Sequence, residues 1–166
     1  NLSGRTVSIG SASKAFNLAG ARCCVAHVGS VSTRSQLAEY PEHYFGLPSS
    51  FGSAATLTAW KHGRAWLQEV KEQIQRNRDY IHSRILEDTS GLTMNLPEST
   101  YLAWLDFSNT SLSRQPSKEL LHKGKIALEP GEKFGEQCGS FARLNFATSI
   151  DVLEELLERM FKVLNR

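Results

Sequence analysis

Ser11, Ser13 and Lys14 lie within one short stretch, and Arg22 follows eight residues after the lysine. Hydroxyls and a guanidinium are the donors that suit a phosphate, and the planar arginine fork matches it best. A lysine among them has the chemistry of a Schiff-base amine toward a carbonyl. To attack, that amine must be neutral, against an ordinary pKa of about 10.4. A confined pocket with a neighbouring cation favours the neutral form. The same residues also suit a polar loop with a solvated lysine, and Ser-x-Ser-Lys by itself favours that loop.

Arg143 is the second candidate. The period of two in Phe141 to Ala147 puts Ala142, Leu144 and Phe146 on one face and Phe141, Arg143 and Asn145 on the other. An arginine fixed on a strand is a good grip for a carboxylate, although a solvated sheet face would carry one too. Tyr101 and Trp104 sit in an aromatic run that packing, an interface or a ligand explains equally well. Cys23 and Cys24 are adjacent and read as packing residues. The five histidines (His27, His43, His62, His82 and His122) have no ligand spacing, so no metal is expected.

These candidates need elements to hold them. Thr6 to Ile9 alternates as a half-buried strand, and Arg22 to Val28 suits a more buried one. Between them lies the small-residue turn that carries Lys14. Ser32 or Thr33 is placed to cap a short helix that stops before Pro41. From about Ser50 to Glu87 the pattern is helical, with a break near Gly63. Leu67, Val70, Ile74, Ile81 and Ile85 form its apolar stripe, interrupted by Asn77. Strands are expected at 92–95, 100–107, 125–128 and 141–147, and a short helix at 117–123. Thr148-Ser149-Ile150-Asp151 has the form of a capping box with Asp in place of Glu. The last helix is expected to bury Val152, Leu153, Leu156, Leu157, Met160, Phe161 and Leu164.

The chain has 166 residues, enough for one sizeable core or two small ones. Its 19 basic and 17 acidic residues leave a net charge of +2, no footprint for nucleic acid or an anionic membrane. No apolar run approaches the length of a membrane span. Three cysteines do not make a disulfide framework, and a reducing, cytoplasmic setting is expected.

Taken together, Ser11-x-Ser13-Lys14-x-x-Asn17-Leu18-x-Gly20-x-Arg22 resembles the lysine signature of class I and II pyridoxal-phosphate aminotransferases. Cys23 and Cys24 depart from it, standing where aliphatic and small residues are usual. Ser-Lys-Ala-Phe-Asn-Leu-Ala-Gly resembles more closely the cystathionine β-lyase, or C–S lyase, branch. Three further blocks resemble that branch in the same order: Gly63 to Leu67 with Asn77 to Tyr80, Pro97 to Asp106, and Leu128 to Gly131 with Phe141 to Ala147. Ser99 stands where the family usually has glycine.

The resemblance implies an α/β fold, the C-terminal part of a type I pyridoxal-phosphate enzyme. Residues 1–62 would be the end of the large cofactor domain. Residues 63–166 would be an α+β small domain entered through a long helix. It implies pyridoxal 5′-phosphate as cofactor, with Lys14 as the Schiff-base lysine. Ser11, Ser13 and Arg22 would bind the cofactor phosphate, and Arg143 the substrate carboxylate. The implied reaction is β-elimination from a small sulfur-containing amino acid, giving pyruvate, ammonia and a thiol, in a full-length homodimer. An aminotransferase and a non-catalytic truncated module are the alternatives. In such enzymes the acidic partner of the cofactor ring, the residue stacked on it and a glycine-bearing phosphate loop precede the lysine. The chain is therefore expected to be an incomplete fragment, inactive by itself.

Overall fold

The computed structural model describes residues 3–165. The chain divides into two compact units, residues 1–69 and 70–166. No described helix is long and apolar enough to cross a membrane, and all three cysteines are free thiols.

In the first unit, β1 (Val7–Gly10) and β2 (Val25–Val28) pair antiparallel, with Val7 opposite Val28 and Gly10 opposite Val25. The second strand starts three residues later than the sequence suggests. Arg22 is left-handed, at φ 47°, and cannot belong to an extended run. Nor is that strand buried: Val25, Ala26 and His27 are exposed, and only Cys23 beside them is covered. No third strand joins the ribbon among the described residues. Helix α1 (Val31–Ala38) is capped by Ser30, whose Oγ accepts from the Thr33 amide at 3.2 Å, so the cap precedes the residues expected for it. Ser49 caps α2 (Ser50–His62) in the same way, accepting from Gly52 N at 2.9 Å. Gly63 then separates α2 from α3 (Arg64–Glu87), which runs from the first unit into the second.

The second unit holds a four-stranded antiparallel sheet in the order β3 (Thr93–Met94), β4 (Leu102–Asp106), β6 (Phe141–Asn145) and β5 (Glu129–Pro130). Ala103, Leu105, Ala142 and Leu144 alternate onto its inner face. They pack with Ile81 and Ile85 of α3 and with Leu153, Leu157 and Met160 of α5 (Ile150–Leu164). Each of the leucine, isoleucine and methionine side chains among them contributes about 1.5–3 kcal/mol of apolar burial before entropy is counted.

Several expectations need correction here. Residues 125–128 are not a strand. Lys125 takes a left-handed conformation (φ 56°) that ends a helical run, α4 (Pro116–Glu119) continued by a wider turn over Leu120–Gly124. The short strand forms only at Glu129, although Ile126 and Leu128 are buried as an alternating pattern requires. On α5, Val152 is half exposed and Val163 is buried instead. The helix begins at Ile150 with Ser149 as its cap and no side-chain cap bond, so Thr148 and Asp151 fall out of register for a capping box.

Asn77 is fully buried, and its place in the apolar stripe has a clear cause. Its Nδ2 donates to the carbonyls of Phe146 and Thr148, each at 2.8 Å, and its Oδ1 accepts from Gln73 at 2.8 Å. The end of β6 has left the sheet ladder there, and buried carbonyls need donors. A side-chain amide on the neighbouring helix supplies them.

Candidate functional site

The lysine turn is held by its own hydroxyls. Ser11 Oγ donates to the Cys23 carbonyl at 2.7 Å and lies 2.7 Å from Ser13 Oγ. One hydroxyl has one proton, so Ser13 is the donor to Ser11. The Ser13 amide also donates to Ser11 Oγ, at 3.1 Å. Ala12 is buried beneath this knot, while Lys14 is exposed, with no hydrogen bond or ion pair among the described residues. Bonds from Phe16 N to Ala12 O and from Leu18 N to Ser13 O, each 3.0 Å, wind the next residues into a turn. Asn17 takes φ 53°, which a short amide side chain tolerates.

Arg22 closes the stretch as the residue capping the 3-10 turn Ala19–Ala21. A left-handed arginine costs roughly 1–2 kcal/mol, and such strain persists only where the surroundings impose it. Part of that imposition is visible in α2. A Cβ at Gly52 would stand 2.4 Å from the Ala21 carbonyl, so glycine there lets the helix start lie against the loop just before Arg22. Beside the lysine turn an open apolar groove of about 470 Å³ is lined by Phe16, Leu18, Phe51, Ala55 and Trp66 among others. Phe16 stacks on Trp66 at 6.1 Å. The groove lining has no charged side chain.

Arg143 lies on β6 in the second unit, opposite Trp104 on one side and Glu129 on the other. It is half-buried, on the face away from the core. Its guanidinium carbon is 5.0 Å from the centre of the Phe134 ring. Phe134 meets Trp104 edge-on at 5.2 Å, and Trp104 stacks on Phe141 at 5.5 Å. Trp104 is thus part of an aromatic wall beside Arg143, whereas Tyr101 packs against the core. The Lys133 ammonium bonds to Glu129 and holds its carboxyl below the usual carboxylate range, with a smaller contribution from Arg143.

The structure therefore joins Ser11, Ser13 and the Cys23 carbonyl into one knot next to Lys14, leaves Arg22 exposed at the end of the stretch, and sets Arg143 separately in the second unit. Sequence reasoning missed Phe134, Glu129 and Lys133, which lie in a segment read as turn and loop. The signal available was Gly131 and Gly135 bracketing the charged and aromatic trio Glu132-Lys133-Phe134.

Comparison with known proteins follows the same lines. The sequence profile described as Aminotransferase class I and II matches residues 2–160. A cystathionine beta-lyase from Corynebacterium glutamicum is 33% identical over 99% of this chain and 44% of its own length. Cystathionine beta-lyase PatB of Bacillus subtilis is 31% identical over 93% of the chain and 41% of its own length. The structure of cystalysin from Treponema denticola, which contains a pyridoxal 5′-phosphate cofactor, matches with a TM-score of 0.89 at 26% identity. That match covers 99% of this chain and 42% of cystalysin. The chain thus spans a little over two fifths of these relatives. The fold expected from the sequence, the C-terminal part of a type I pyridoxal-phosphate enzyme, is the fold it shares with them.

Proposed function

Because the chain belongs to the class I and II aminotransferase family, we propose that it is the C-terminal portion of a pyridoxal-phosphate C–S β-lyase acting on a small sulfur-containing amino acid. The observation that carries this reading is the lysine turn: a lysine amine with no partner among the described residues, in one stretch with two hydroxyls and an arginine held in a strained conformation. That donor set fits the aldehyde and the phosphate of pyridoxal phosphate, the cofactor contained in cystalysin. Residues 1–62 are the end of the cofactor domain, and residues 63–166 the small domain. The free thiols agree with a reducing, cytoplasmic setting, and the full-length protein is proposed to be a homodimer.

Bound at this turn, pyridoxal phosphate supplies a carbonyl for the lysine and an electron sink for the charge left when an amino acid loses its Cα proton. Arg22 offers donors to the phosphate as it stands, and Ser13 does so on turning its proton away from Ser11. Ser11 can join them only by turning its proton away from the Cys23 carbonyl, so its contribution is smaller than a free hydroxyl's. The Lys14 amine, once neutral and free, is the general base that takes the Cα proton and later returns a proton. Arg143 grips the substrate α-carboxylate with its two-pronged fork and so orients the Cα–H bond. Neither residue needs a metal.

The test uses the holoenzyme with cystathionine, in the presence and absence of an added keto acid. Thiol and pyruvate release without keto acid, abolished by Lys14→Ala, is expected. Amino-group transfer to the keto acid with no thiol released would identify an aminotransferase and overturn the lyase.

A further inference from the structure

Glu129 and Arg143 are directly opposite residues of β5 and β6, so their side chains leave the same face of the sheet. Opposed charges at such a position ordinarily pair. Here they do not. Glu129 is bonded to Lys133 Nζ at 2.5 Å, and Arg143 has no ion pair among the described residues. The guanidinium rests over Phe134 instead, leaving its donor edges without a carboxylate.

The backbone that places Lys133 is closely fitted. Lys133 and Phe134 lie on the 3-10 turn Gly131–Phe134. A Cβ at Gly131 would meet the Cys138 carbonyl at 2.1 Å and the Phe141 carbonyl at 2.6 Å. Only glycine lets this turn start so close to β6. The Glu129–Lys133 pair itself is at the surface, with side chains 37% and 63% exposed, where ion pairs add little to stability. Its consequence for Arg143 is more direct, since Glu129 is the carboxylate directly opposite that guanidinium across the strand pair.

We propose that Lys133 is a positioning residue: by holding Glu129, it keeps Arg143 open for the α-carboxylate of an amino-acid substrate. This rests on the reading of Arg143 as the carboxylate anchor. Without Lys133, Glu129 turns to Arg143 and competes with the incoming carboxylate.

The experiment measures binding of L-alanine and of ethylamine to the holoenzyme through the absorbance of bound pyridoxal phosphate. Ethylamine lacks the carboxylate, so the ratio of the two affinities reads that interaction alone. Lys133→Met is expected to lower the ratio by about two- to fivefold, the range of an exposed ion pair. The loss shrinks as salt is raised. Glu129→Gln in the same protein is expected to restore the ratio to within about twofold of the original. A Lys133→Met ratio equal to that of the parent overturns the proposal. So does a loss that Glu129→Gln leaves in place, because that outcome means a disturbed turn and not a released carboxylate. Arg143→Lys separates the two layers. If it leaves the ratio unchanged, the carboxylate-anchor reading fails, and this proposal with it; if it lowers the ratio while Lys133→Met does not, only the proposal fails.

Discussion

Replacing Asn77 by alanine removes the two donors that serve the Phe146 and Thr148 carbonyls. Water has poor access, because Asn77 is fully buried and Phe146 beside it is too. An unsatisfied buried carbonyl costs about 1–3 kcal/mol. Gln73, half-buried on the helix, can turn to solvent and recover its bond. The small cavity left by the amide adds to the loss. The sum is about 3 kcal/mol for Asn77→Ala. For a chain of this length each kcal/mol lowers the melting temperature by about 2–4 °C, so the midpoint should fall by roughly 6–12 °C. Asn77→Asp is the sharper variant. It has the same shape but turns acceptors toward two carbonyls, so at neutral pH it should be less stable than the alanine variant. Burial raises the folded-state pKa of the introduced acid above its unfolded value. Its penalty is therefore full above the folded pKa and relieved as the pH falls through it, when the protonated form can donate again. Far-ultraviolet circular dichroism melts at pH 7 and pH 5 read both effects. A melting temperature within 2 °C of the parent for Asn77→Ala, set against the roughly 2–4 °C expected per kcal/mol, would refute the account of why this polar residue is in the core.

Two other predictions come from local geometry. Gly52→Ala forces a Cβ to within 2.4 Å of the Ala21 carbonyl. It should destabilise the chain by about 1–3 kcal/mol and weaken pyridoxal-phosphate binding in the holoenzyme by displacing Arg22. Gly20→Ala, which meets nothing within 4 Å, should do neither, and a cofactor titration of both variants checks this. Burial raises the Asp88 carboxyl pKa, but bonds from the Ser90 side chain and amide and from Asn165 outweigh it and leave the pKa below the ordinary 3.8. The stability it contributes is therefore present above that ordinary value and lost as the pH falls through the lower folded value. Asp88→Asn should flatten the acid limb of stability below about pH 4, measured as urea midpoint against pH.

Residue type and period made much of the second unit legible. The alternation in Phe141 to Ala147 correctly places Arg143 opposite a buried face, and the break at Gly63 falls where the helices part. Periodicity does not show long-range polar contacts, so Asn77 looked like a flaw in a stripe when it is a bridge to residues 146 and 148. Nor does it show left-handed backbone at Arg22 and Lys125, which shortened one expected strand and moved another. The Lys14 motif was readable from residue types. The knot made by Ser11 was not, because a bond from residue 11 to the carbonyl of residue 23 depends on how the loop closes. The clip at Glu129, Lys133 and Phe134 escaped because its meaning comes from register with Arg143, a residue nine or more positions away.

Lys14 is the residue on which the functional reading turns. The most direct measurement treats the holoenzyme with borohydride, digests it and maps the peptide that carries the reduced pyridoxyl group by mass spectrometry. The adduct is expected on Lys14, within the segment Ser11 to Arg22, and is expected to vanish in Lys14→Ala. An adduct on any other lysine, or one that survives that substitution, would contradict the account.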